Sequence, residues 1–180
     1  MQILHLTNKD YKTSAWSGGT TTELFIWPKG ADYARREFSL RISSATVDLP
    51  ESDFTPLQGV VRYITPLVGS FVLTHPESKP VVLGPLDRPY RFSGETPTHC
   101  VGTATDFNLM LKGVEGRMQI SGGNVQLQPG LNSFYATQVT VITVQEQAFS
   151  LAKGDLLVIF AEEDLAPSLS CPAIHCWADL

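Results

Sequence analysis

Four polar residues sit in segments whose neighbours are apolar, and their types suit the recognition of a small anion. Arg41 lies within Phe38-Ser-Leu-Arg41-Ile, and Arg62 within Val60-Val-Arg62-Tyr-Ile. Asp106 and Asn108 alternate with Phe107, Leu109 and Leu111. Residues two apart on a strand point to one face roughly 6.5 Å apart, so Asp106 and Asn108 can converge on one object. Guanidinium forks match a carboxylate bidentately, which gives Arg41 and Arg62 the role of holding an acid. Asp106 and Asn108 would read an amine or amide, and Glu23 would fix the orientation of one arginine. Trp16 is expected as an aromatic wall at the mouth, with Gly18 and Gly19 letting the backbone approach closely. Two other readings use the same residues: a structural network in which the charges satisfy one another, and a solvent-facing set.

Other chemistry is poorly supplied. The histidines, His5, His75, His99 and His175, are scattered, and no His-x-His pair precedes a carboxylate. No catalytic residue and no metal site is therefore assigned, because a transition metal needs several converging N, O or S ligands. Cys171-Pro-Ala-Ile-His-Cys176 offers two thiols and an imidazole, but no second pair completes a tetrahedral set. Cys100, in Thr-His-Cys-Val, reads as core. His75 and His99 read as strand-end or loop residues bonded to backbone. No Gly-x-Ser-x-Gly elbow is present, and Ser17-Gly18-Gly19-Thr20 lacks the lysine of a phosphate-binding loop, so it reads as a glycine turn feeding a strand.

These residues need elements to hold them, and the pattern calls for strands. Period-two alternation recurs near 22–27, 38–45, 60–65, 70–75, 80–84, 99–102, 106–111, 115–120, 124–128, 140–144, 147–151 and 156–161. Turn signals such as Ser121-Gly122-Gly123-Asn124 and Gln128-Pro129-Gly130 separate them. The Pro- and Gly-rich region 76–97 reads as a hairpin with its loops, and Ala166–Leu169 as one helical turn. Charged residues make up only 17% of the chain against 43% hydrophobic, with 14 Gly and 12 Pro, a composition for short strands and turns rather than amphipathic helices. At 180 residues the chain fits one compact unit. A strand, a Gly followed by an acid, then another strand recurs at Gly94-Glu95 and Gly154-Asp155, the turn rhythm of a double-stranded β-helix. The expected fold is all-β, a two-module cupin of jelly-roll type. Module one spans about 20–110, module two about 110–161, and 162–180 forms a C-terminal tail, with the N-terminal strand free to cross over into the second module.

The formal net charge of −5, with no basic cluster beyond Arg35-Arg36, speaks against a nucleic-acid partner. The apolar run Leu156–Ala161 is too short to span a bilayer, so no membrane partner is expected. Three cysteines without a signal-peptide pattern point to a reducing cytoplasm. The expected assembly is a monomer or homodimer.

Four ordered blocks resemble the HutD/Ves family of the cupin superfamily. They are Trp16-Ser-Gly18-Gly19-Thr20-Thr-Thr-Glu23-Leu, Phe38-Ser-Leu-Arg41-Ile-Ser43-Ser-Ala45-x-Val47, Phe54 to Gly59 leading to Arg62, and Gly102-x-x-x-Asp106-Phe107-Asn108-Leu-Met110. The resemblance implies a cytoplasmic bacterial protein with two cupin modules. In the HutD branch it implies a link to histidine utilisation and the sensing of a small carboxylate; in the Ves branch, a link to cold and stress response. Family members show Asn and three glycines after the tryptophan, whereas this chain has Ser17-Gly18-Gly19-Thr20, which places it closer to the Ves branch. The combined expectation is a non-catalytic protein that binds a small anionic metabolite, with no cofactor, in a metabolic or stress-response role. A cupin enzyme acting on a carboxylate without a metal, and an interaction module without a ligand, are the alternatives.

Overall fold

Alternating side chains build strands along almost the whole chain, and the fold is all-β. The computed structural model describes residues 1–16 and 18–180; Ser17, quoted above with its glycine turn, lies outside the described residues. Among the described residues there are seventeen strands and no helix. The chain divides into two units, residues 12–113 and residues 1–11 with 114–180.

In the unit of residues 12–113, a six-stranded sheet runs in the order β2 (Lys12–Trp16), β3 (Gly19–Trp27), β4 (Leu40–Val47), β11 (Ala104–Lys112), β6 (Val60–Gly69) and β9 (Tyr90–Ser93). A four-stranded sheet contains β5 (Glu51–Phe54), β10 (Thr98–Val101), β7 (Phe71–Thr74) and β8 (Val81–Leu83) in that order. Every pairing is antiparallel. The centre of the larger sheet carries function-relevant chemistry on one face only. Along β11, Phe107, Leu109 and Leu111 are buried on one side and Asp106, Asn108 and Met110 on the other. Both faces are out of water, so the polar residues must find partners there.

Two bulges set which residues share the polar face. On β3 the register to β4 shifts between Glu23 and Phe25, so Glu23 lies opposite Ser43 and Ile26 opposite Arg41. Glu23 and Ile26 differ in parity and would face opposite ways on a regular strand; the extra residue brings both inward. On β6 the register to β11 shifts between Thr105 and Asp106, with Pro66 opposite Asp106. A residue without an N–H is tolerated at such an irregularity.

In the other unit, seven strands form one sheet ordered β1 (Gln2–Leu6), β16 (Leu156–Ala161), β13 (Gly130–Tyr135), β17 (Ser168–Ala178), β14 (Thr140–Val144) and β15 (Gln147–Leu151), with β12 (Gly116–Asn124) paired to β17. Phe134, Ile142, Leu151, Leu157 and Ile159 anchor its apolar core. The N-terminal strand β1 pairs antiparallel with β16.

Several sequence expectations are corrected. Residues 162–180 are not a tail, since β17 is the longest strand, with Ile174, Cys176 and Ala178 fully buried. Its pattern was broken by Pro172, which sits where the β12–β17 register shifts. For the same reason Ser121-Gly122-Gly123-Asn124 is not a turn but the end of β12, where a Cβ on Gly122 would lie 3.2 Å from the Pro172 ring. The region 76–97 is not a hairpin: β8 joins β7 in one sheet and β9 joins β6 in the other. The chain crosses between them through Leu86, at a φ of 58°, whose N–H bonds the Pro66 carbonyl at 2.8 Å. No helical turn forms at Ala166–Leu169, and beyond Asn124, the end of β12, the expected strand 124–128 contributes only the bridge of Leu127 to Leu165.

The start of β3 gives a stability test. Gly19 has a φ of +151°, and a Cβ there would meet the Thr46 carbonyl oxygen at 2.1 Å. Gly30, at a φ of +86°, has open space around it. Gly19→Ala is expected to cost about 3 kcal/mol and Gly30→Ala about 1 kcal/mol in urea unfolding, the difference being the steric clash. Equal costs would contradict the close approach.

Candidate functional site

The polar faces of β4, β11 and β6 meet in a cavity of about 260 Å³ within the unit of residues 12–113. Cross-strand pairing explains the gathering. Met110 lies opposite Arg41 on one side and Arg62 on the other, and Asn108 opposite Ser43 and Ile64. Arg41, Arg62, Asp106 and Asn108 all line the cavity, as does Trp16. All four charged and polar members are buried.

The two arginines are held very differently. Arg41 Nε donates to Glu23 Oε2 at 2.8 Å and Nη1 to Ser43 Oγ at 3.2 Å. Its guanidinium carbon lies 4.0 Å from the centre of the Tyr33 ring. Arg62 instead rests between aromatic faces, 4.7 Å from Phe54 and 5.2 Å from Phe92, and its buried Nε has no hydrogen-bond partner. Cation–π contact supplies attraction without satisfying a donor. Asp106 Oδ1 and Asn108 Oδ1 are likewise buried and unpartnered. Among the described residues six buried side-chain atoms lack a partner, and half of them belong to this one cavity.

Burial pushes the Asp106 carboxyl up to about 7, against the pull of the Arg62 guanidinium and, more weakly, the Ala45 amide. Burial also lowers Arg62, while Asp106 draws it back up. An acid that titrates near neutrality beside an incompletely bonded arginine can accept or donate a hydrogen bond, whichever its occupant requires.

The remaining expected residues do not touch the cavity. Glu23 is not in its lining and serves as the counter-charge of Arg41. Gly18 and Gly19 are not in the lining either. A Cβ on Gly18 would strike the Trp16 ring at 2.2 Å, and Gly19 makes room for Thr46, so both glycines seat their neighbours rather than a ligand. Sequence reasoning missed the aromatic and apolar wall of Tyr33, Phe54, Leu57 and Met110. Met110 had a signal in its place two residues beyond Asn108 on β11, and Phe54 and Leu57 in the family-like block that leads to Arg62. At the rim Asp53 bonds His99 Nδ1 at 2.8 Å, so His99 is a strand residue paired to a carboxylate, not to backbone. His75, just beyond β7, bonds Thr98 Oγ1 at 3.1 Å. Cys100 is core. Among the described residues no three His, Cys, Asp or Glu side chains gather as metal ligands.

In the other unit Ser133 Oγ is buried without a hydrogen-bond partner, while His175 is held by its neighbours. His175 Nε2 lies 3.0 Å from Asn132 Oδ1, and the ring stacks on Phe134 at 4.6 Å. Burial lowers His175 to about 4.

A family model described as HutD matches residues 8–176. No curated protein matches the sequence. The structure is similar to that of HutD from Pseudomonas fluorescens SBW25, solved in a formate condition, with a TM-score of 0.83 and 22% identity over 98% of each chain. It is equally similar to a conserved protein of unknown function from Pseudomonas aeruginosa PAO1, with a TM-score of 0.83 and 24% identity over 99% of this chain and 98% of that one. The Bacillus subtilis oxalate decarboxylase OxdC shares the fold more distantly, with a TM-score of 0.61 and 10% identity over 97% of this chain and 76% of that one. Among the described residues no helix is long and apolar enough to cross a membrane.

The raised Asp106 carboxyl makes a pH prediction. Its native form keeps a proton that the unfolded chain loses near 4, so its contribution to stability is present below about 4 and is lost as pH rises to about 7. His175, lowered to about 4, contributes the opposite slope below 6.5, so the informative comparison is with a variant. Between about pH 4 and 7, Asp106→Asn should gain stability on the wild type by up to about 1.4 kcal/mol per pH unit, read from urea midpoints. A constant difference across that window would show that Asp106 titrates normally.

Proposed function

We propose that this chain, which belongs to the HutD family, is a non-catalytic protein that binds a small anionic metabolite in the cavity of residues 12–113. The observation that carries the reading is the set of three buried, unpartnered atoms on one cavity: Arg62 Nε, Asp106 Oδ1 and Asn108 Oδ1. Leaving such groups unsatisfied costs on the order of 1–3 kcal/mol each, more for charged ones, which a complementary occupant recovers. A small carboxylate that seats its oxygens on Arg62, with Asn108 and an Asp106 able to accept or to donate beside it, is the occupant this set favours. Trp16 and Phe54 offer apolar surface for the rest of the molecule.

Arg41 supports the site by position, because Glu23 already holds its Nε. In this reading the two units are two cupin modules, supported by the recurrence of a Gly-acid turn ahead of β10 and of β16. A place in the Ves branch is supported by the departure from the family's glycine turn. A cytoplasmic role in metabolism or stress response accords with three free cysteines, of which Cys100 and Cys176 are buried.

A thermal-shift screen of small carboxylates tests the proposal. At least one should raise the melting temperature of the wild type by several degrees, since a ligand at about 100 times its Kd adds about 2.7 kcal/mol. Arg62→Met, which keeps the apolar contacts to Phe54 and Phe92, should fold and lose the response. Arg41→Ala should be destabilised by leaving the half-buried Glu23 without its partner. Should no carboxylate shift the wild type, the charges form a structural network and the binding reading fails.

A further inference from the structure

When Asp106 is ionised, the charges of its cavity partners cancel before any ligand enters. Arg41 is matched by Glu23 at 2.8 Å, and Arg62 by Asp106, the charge that most favours its guanidinium. The other titratable groups facing Asp106 add no spare positive charge. Tyr33, from the segment 28–39, stacks on Arg41. Cys100 on β10 is a neutral thiol, pushed up to about 11 by burial and by Asp106. Asp53 at the rim is bonded to His99.

A monoanion entering this balanced interior would leave one net negative charge out of water. It would also compete with ionised Asp106 for the same guanidinium. The cavity is small, about 260 Å³, and Asp106 and Arg62 both line it, so a carboxylate seated on Arg62 lies within reach of Asp106. Two carboxylates at such range do not both stay ionised. A protonated Asp106 removes the competition and gives Oδ1 or its twin an O–H to donate, turning a repelling acceptor into a hydrogen-bond donor.

We propose that the cavity takes up its monocarboxylate together with one proton, which resides on Asp106. This rests on the carboxylate-binding reading above. The free protein is poised for it, because burial already pushes the Asp106 carboxyl up to about 7 and little work remains to keep it protonated at neutral pH. Linkage then makes the protein's response to its metabolite pH-dependent: acidification strengthens binding, and alkaline conditions release the ligand.

Calorimetric titration with butyrate from about pH 6 to about pH 9 tests the proposal. Affinity should be level below the Asp106 titration and fall about tenfold per pH unit above it. Heats in two buffers of different ionisation enthalpy should show proton uptake approaching one per butyrate at the alkaline end. Asp106→Asn, a permanent donor without the charge, should bind butyrate with an affinity flat in pH. In the wild type, which needs no variant to fold, the carbon-13 carboxyl resonance of Asp106 should titrate at higher pH when butyrate saturates the site. Butyrate binding that is flat in pH, with no proton uptake, would overturn this proposal and leave the carboxylate reading standing. No binding of butyrate, or of any other small monocarboxylate, at any pH would overturn both.

Discussion

A guanidinium buried in the middle of a sheet, and short of hydrogen-bond partners, is the constraint around which the unit of residues 12–113 is arranged. Arg62 is 6% exposed and lies against Phe54 and Phe92, with Asp106 as its nearby acid. A charge in that position is tolerable only where opposite charge, aromatic faces and hydrogen-bond acceptors share the load. The structure supplies two aromatic faces and one acid that titrates near 7, and leaves Nε without an acceptor. The cavity is where the shortfall is concentrated.

The contrast with other buried polar groups in the protein sharpens this. Arg41, two strands away across β11, has a carboxylate, a hydroxyl and an aromatic ring around it. His175 has Asn132 on one nitrogen and a stacked Phe134. Arg41 and His175 are thus held by protein partners alone. Around Arg62, Asp106 and Asn108, by contrast, three unpartnered buried atoms belong to residues that line one cavity of metabolite size.

Much of this was legible in the sequence, for identifiable reasons. Strict alternation from Asp106 to Leu111 announces both faces of β11, and polar residues on an apolar strand mark the site. What could not be read was non-local. Gly19 owes its identity to a Thr46 carbonyl on another strand, so its role looked like ligand approach until the pairing was known. Glu23 and Ile26 share a face only because of a bulge, which leaves no local signature. Tyr33 and Leu57 reach the cavity from irregular segments and Phe54 from a four-residue strand, where periodicity carries no information. The final strand was hidden by a proline that a register shift accommodates.

The most direct test of the central claim is the proton on Arg62 Nε itself, followed by nitrogen-15 NMR during addition of a small carboxylate. If the cavity is a binding site completed by its ligand, this resonance, assigned by its loss in Arg62→Lys, should move downfield and become protected from exchange as the carboxylate saturates. The resonance of Arg41 Nε, already bonded to Glu23, should change far less. An Arg62 Nε resonance that stays fixed while surface arginines respond equally to the added salt would contradict the account.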